Sequence, residues 1–228
     1  MSNSAIGHPH QWYGGHSYAQ HGDDFAIINI FKRLEIEKPT YLDIGAHHPW
    51  ELSNTALLHQ RGSRGINVDA NEKAIRQFNQ VRPEDVNVWA AVLHPRDIGQ
   101  IAETTLFVLN ETSGLNTTVE GSLPGSIKRV TVPAHSINYI VHHYGNGVWP
   151  DLLSIDAEGR DLDILDSIPW INLKSSEMPK VVCVEAASPA GNYTTQIRHL
   201  MTKAGYYVHS WCGSNMLFVQ IALKHLLH

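Results

Sequence analysis

Four acidic residues stand at the ends of short apolar runs: Asp43 within Tyr41–Ile44 and two residues before Gly45, Asp69 after Gly65–Val68, Asp156 after Leu152–Ile155, and Glu185 after Val181–Val184. If those runs are strands of an open parallel sheet, all four carboxylates lie along the one edge where such sheets bind ligands. A single strand-end acid is more often a helix cap than a ligand contact. Four together repel one another unless a cation or a hydroxyl-rich ligand fills the gap. Asp156 is the leading catalytic candidate, with two readings open. It takes the proton of a reacting hydroxyl, or it joins Glu185 in holding a hard divalent cation such as Mg that lowers the hydroxyl's pKa and orients it.

The stretch from Tyr41 to Asn71 sets the frame for these acids. It reads as a strand stopping at Gly45, a helix opening on Ser53-Asn54-Thr55, and a second strand ending on Asp69. That is half of a nucleotide-binding βαβ unit. A dinucleotide fingerprint needs two further glycines after Asp43-Ile44-Gly45, but here Ala46 leads into His47, His48 and Pro49. Without a diphosphate cradle the site suits a phosphate-free nucleoside, with S-adenosylmethionine the first candidate and NAD the rival. Asp69 is placed for ribose hydroxyls, and Gly45 for close backbone approach. Ser53, Asn54 and Thr55 are placed for the amino acid end of the cofactor, although Asn54 serves equally as a plain helix cap. Trp89 or Ala90, after the third strand, flanks an adenine, or Trp89 packs in the core.

Along the chain, residues 1–16 lack periodicity and read as a flexible N-terminal arm, and residues 17–228 read as a single domain. Asp23 or Asp24 falls in the first turn of a helix running to about Phe31. Helices are expected over 53–60, 71–79, 136–143, 161–165 and 194–204, and Val86–Val92 is the third strand. The region from about 97 to 135 is an excursion, with strands at 104–109 and 128–132 and loops between them. Such insertions between parallel strands usually face the substrate. Tyr206–Trp211 and Met216–Gln220 close the domain as an antiparallel pair.

The bulk composition excludes several classes. With 228 residues, 43% hydrophobic, 17% charged and a net charge of -5, the chain suits one globular α/β domain and carries no basic field for nucleic acid. No apolar run is long enough for a membrane span, and the two cysteines, Cys183 and Cys212, fit a reducing cytoplasmic setting. Fifteen histidines invite a metal reading, but His8/His10, His47/His48 and His142/His143 lack zinc-hydrolase spacing.

In combination, Tyr41-Leu42-Asp43-Ile44-Gly45-Ala46-His47-His48-Pro49, Ser53-Asn54-Thr55, Arg61 to Asp69 and Ser154-Ile155-Asp156-Ala157-Glu158-Gly159 resemble the FkbM-type S-adenosylmethionine-dependent methyltransferases. Gln20-His21-Gly22-Asp23-Asp24, Leu115-Asn116-Thr117 and Val184-Glu185 fit the same family in the same order. The resemblance covers about 17–220. It implies a Rossmann-like class I methyltransferase fold, a mostly parallel seven-stranded sheet with helices on both faces. It also implies methyl transfer to an oxygen of a sugar or natural-product small molecule. N- or carboxyl-methylation and a catalytically silent binding module are the alternatives, and a homo-oligomer is compatible with either. By position, the resemblance carries Asp43, Gly45, Asn54 and Asp69 to the cofactor, with Asp156 and Glu185 facing the acceptor; Gln20, Ala46, Ser53, Ala70, Trp89, Ala90 and Asp156 complete the cofactor-binding candidates. Two departures stand out. Asp69-Ala70 replaces a frequent Glu-Pro, and His47-His48 offers an imidazole as an alternative base.

Overall fold

The computed structural model describes residues 10–12, 15–108, 116–120, 128–188 and 191–227. Two short strands, β1 His10–Trp12 and β2 Gly15–Ser17, pair antiparallel ahead of helix α1, Asp23–Arg33. The rest of the expected arm lies outside the described residues. Then come β3 Tyr41–Ile44, α2 Ala56–Gln60, β4 Gly65–Asp69, α3 Glu72–Val81 and β5 Val86–Trp89. β6 Ala91–Val92 leads into the excursion, which holds β7 Glu103–Val108 and β8 Lys128–His135; the parts of its expected strand and loops at 109–115 and 121–127 lie outside the described residues. The chain returns through α4 Ile137–Tyr144, β9 Leu152–Ile155, α5 Asp161–Asp166 and β10 Val181–Glu185. A two-residue hairpin, β11 Ala187–Ser188 with β12 Gly191–Asn192, precedes α6 Thr194–Lys203, β13 Tyr206–Cys212 and β14 Asn215–Gln220.

The large sheet has seven strands in the order β13-β14-β10-β9-β3-β4-β5. From β10 to β5 every neighbouring pair is parallel, while β14 runs antiparallel to both β10 and β13. The sheet is therefore mixed. A two-residue connection between β13 and β14 permits no other arrangement, because parallel neighbours need a long crossover. Side chains alternate across the sheet. Leu42, Ile44, Leu153, Ile155, Val182 and Val184 pack with Ile137 and Ile140 of α4, Ile164 of α5 and Ile197 of α6. Tyr41, Leu152, Val181 and Cys183 pack on the opposite face with Ile27 and Phe31 of α1 and Leu57 of α2.

One expected strand is two. The run Val86–Val92 leaves the large sheet at Ala90, whose N–H donates to the Asp69 carbonyl (3.0 Å). Ala91 and Val92 then pair parallel with β8, in a small sheet of order β6-β8-β7. An unbroken apolar run carries no sign of which sheet each half joins. A bridge between Phe107 and Thr117 draws 116–118 back against β7, so the excursion overhangs the strand ends.

Candidate active site

Strand register brings the acids together. Ile44 pairs with Val68 on one side and Ile155 on the other, and Ile155 pairs with Val184. The next residue on each strand forms the terminal row: Asp69, Gly45, Asp156 and Glu185, with Trp89 paired beyond Asp69 and Asn215 beyond Glu185. Adjacent strands lie about 4.8 Å apart, which sets the spacing along that row. A cleft opens over Asp69, Gly45 and Asp156; His47, Ala70, Ala90 and Glu158 also line it, and Asn116–Thr118 of the excursion close the far side.

Two features shape the cleft's first half. Asp69 accepts backbone N–H bonds from Asn71 (2.7 Å) and His47 (2.8 Å), one on each carboxylate oxygen. Burial pushes its pKa up and those donors pull it back. Each oxygen keeps a second lone pair for a ligand hydroxyl. Gly45 has φ +75°, and a Cβ there would sit 1.7 Å from the Asp156 carbonyl oxygen. Its glycine is thus demanded by the neighbouring strand as well as by the cleft.

The Asp156 end is acidic, although of its acids only Asp156 and Glu158 line the cleft. Single carboxylate oxygens of Asp156, Asp161 and Glu185 lie within 4.8 Å of one another. Asp161 opens α5 and reaches back to accept from Ala157 N–H (2.8 Å) and Gly159 N–H (3.1 Å). Burial, then the nearby Glu185, Asp161 and Glu158, lift the Asp156 carboxyl well above the usual range. Glu158, at left-handed φ 49°, is pushed to about 7 by burial and Asp161, and Asp161 to about 6 by burial. The loop is docked to the excursion. Thr117 donates to the Glu158 carbonyl (2.7 Å), and Arg160 donates to Thr118 Oγ1 (3.0 Å). The sequence marks Asp161 only as a helix start and Glu158 only as a motif letter. Their part in the cluster depends on the reversal of the loop between them, which spacing does not disclose.

Other expected cofactor contacts lie elsewhere. Asp43 sits two residues inside the terminal row, so its side chain enters the packed layer between sheet and α2, where it accepts from Thr55 Oγ1 (2.7 Å). Ser53 accepts from Arg82 (3.1 Å), and Asn54 donates to Ser154 Oγ (3.3 Å). None of Asp43, the buried Ala46, Ser53, Asn54 or the exposed Gln20 lines the cleft. Trp89 is 36% exposed instead of core, its indole N–H fixed to the Ala70 carbonyl (2.9 Å), and it lines an adjoining groove. Arg82, which no motif singles out, is fully buried beside these groups.

The sequence model described as the methyltransferase FkbM domain matches residues 43–208. No curated protein and no solved structure matches the chain. The matched stretch runs from the strand before the Gly45 turn through every acid of the terminal row, and covers most of the 228 residues. The chain belongs to the FkbM family of methyltransferases.

Proposed function

We propose that the protein is an S-adenosylmethionine-dependent O-methyltransferase acting on a hydroxyl of a carbohydrate or other small molecule, on a Rossmann-like class I scaffold. The observation that carries this reading is the terminal row, a ribose-competent carboxylate at Asp69 and an acid cluster at Asp156, separated by the one glycine. The residues fit the cofactor's chemistry, because the carboxyls of Asp156, Glu158, Asp161 and Glu185 stand close enough together for ionisation to be favoured by a cation such as a sulfonium beside them. When bound, the cofactor supplies an electrophilic methyl group on that sulfonium.

The chain's own residues do the rest. Asp69 holds the ribose hydroxyls, Gly45 leaves space for close backbone approach, and Ala70 and Ala90 leave room for a flat base. The carboxylates release their protons more readily once a cation lies beside them. Asp156, ionised, then accepts the acceptor's hydroxyl proton as the oxygen–carbon bond forms and the carbon–sulfur bond breaks. The overhanging excursion excludes water and holds the acceptor in line. His47 lines the cleft as a further proton acceptor, and Glu185 stands beside Asp156 in the cluster. The spacing of Asp156, Asp161 and Glu185 favours a second reading of the proton step, a divalent cation held by all three. With neither thiol engaged in a disulfide, we place the protein in the reducing cytoplasm.

The test is mass spectrometry of a panel of glycosides and phenols incubated with protein and cofactor, with and without a chelator. A product heavier by one methylene unit on oxygen, insensitive to chelator, is the expected result. Methylation on nitrogen or carboxyl would overturn the acceptor class, and loss of activity with chelator, restored by Mg, would replace the Asp156 base with the cation.

A further inference from the structure

We propose that Arg82, a residue outside the cleft, is the positioning residue that holds the 46–55 loop in the shape that receives the cofactor. This rests on the reading above for its ligand and on geometry alone for the residue's role. The loop follows the Gly45 turn and has two non-glycine residues in the left-handed region, His47 (φ 56°) and Leu52 (φ 53°). Left-handed conformations of such residues cost free energy and persist only where surrounding contacts over-determine them. Contacts along its whole length do so. At the loop's start, His47 N–H is held by Asp69 (2.8 Å). At its end, Ser53 N–H donates to the Tyr18 carbonyl (3.0 Å). In the middle, His48 Nδ1 accepts from Trp50 N–H (3.1 Å) and Glu51 N–H (2.9 Å), and Arg82 ties the turn to the rest of the fold.

The Arg82 guanidinium donates through Nη2 to the Pro49 carbonyl and to Ser53 Oγ, and through Nη1 to Thr55 Oγ1 (3.0 Å). The Thr55 hydroxyl in turn donates to Asp43 Oδ2 (2.7 Å), so the cation is tied to the strand that leads into Gly45. Its planar group lies against the Phe78 ring (5.1 Å) and the Trp50 ring (5.8 Å), the second of which belongs to the loop itself. A fully buried guanidinium is expensive to desolvate, and here Asp43 and Asp85 supply the compensating charge. Replacing that arrangement with an apolar residue of similar size would give an ordinary core. The planar fork, reaching two hydroxyls and a loop carbonyl at once, is what an apolar residue or a lysine cannot reproduce.

Without Arg82 the loop relaxes its two left-handed residues, and the His47 N–H leaves Asp69. The carboxylate proposed to take the ribose then loses one of its two fixed donors. The test uses Arg82→Lys, which keeps the buried charge, with Ser53→Ala as the milder variant should the first not fold. In unliganded protein, hydrogen exchange at the His47 amide is expected to accelerate about tenfold or more in Arg82→Lys and measurably in Ser53→Ala, while amides of β9 and β10 keep their native rates. For the folded variant the cofactor's KM is expected to rise about tenfold or more, with kcat at saturation within about threefold of native. Unchanged exchange at His47 in a folded variant, or a fall in kcat with KM unaltered, overturns the proposal. The exchange arm needs no ligand, so it stands or falls separately from the identity of the cofactor.

Discussion

Asp156→Asn is expected to abolish methyl transfer while making the unliganded protein more resistant to heat at pH 8. Loss of a general base costs about 10²–10⁴ in rate, and the asparagine leaves the cofactor's ribose grip at Asp69 untouched, so cofactor affinity should stay within a few fold. The stability gain follows from the acid cluster. Glu158 and Asp161 have folded-state pKa values of about 7 and about 6, both above their unfolded values of 4.5 and 3.8. A carboxyl raised in this sense holds its proton more tightly in the fold. Its contribution is fully present below pH 4 and lost as pH rises through 6 and 7. Ionising each inside the fold costs about 3 kcal/mol. Asp156, raised by burial and by those same neighbours, adds a third buried charge of like sign. Native protein should therefore melt higher at pH 5.5 than at pH 8, and Asp156→Asn should narrow that gap by gaining at pH 8. Calorimetric melting of both proteins at the two pH values, with a turnover assay, checks both halves. Native-like turnover in the variant removes Asp156 as base, and an equal gap in both proteins removes the account of the cluster.

Gly45→Ala is expected to cripple the fold rather than merely the site. A Cβ would lie 1.7 Å from the Asp156 carbonyl oxygen and 2.7 Å from its carbon, both backbone atoms. They cannot step aside, because Asp156 N–H is held in the ladder by the Ile44 carbonyl (2.9 Å). The φ of +75° adds a conformational penalty for any L side chain. Together these cost at least about 3 kcal/mol, which for a domain of this size lowers Tm by about 6–12 °C or more. Circular dichroism melting reads this directly. A variant melting within 2 °C of native would mean that the β3 and β9 ends stand farther apart than the geometry described here.

The sheet was readable because its strands are short apolar runs with acids at their ends, and the alternation of runs and helices forces parallel crossovers. What escaped was whatever depends on direction rather than on type. The run Val86–Val92 turns from one sheet to another at Ala90 because that residue's N–H takes the Asp69 carbonyl, and no residue type marks such a turn. Ser53, Asn54 and Thr55 look like a ligand-binding helix start. Their hydroxyls and amide are instead bound to Arg82, Asp43 and Ser154, because a residue two positions inside a strand end points into the same packed layer. Arg82 itself follows α3 with no motif, and its burial follows only from where that helix lands. Asp69 and Asp156, at the terminal row, were legible since an edge position needs no knowledge of what packs behind it.

The central claim is that an adenosine-bearing sulfonium lies across the strand ends with its ribose on Asp69. Isothermal titration of S-adenosylhomocysteine into native protein and Asp69→Ala, with NAD as the control ligand, tests it most directly. Expected are saturable binding to the native chain, a loss of about 10- to 100-fold in the variant, and no heat with NAD. Saturable binding of NAD without S-adenosylhomocysteine, or equal affinity in the two proteins, would contradict it.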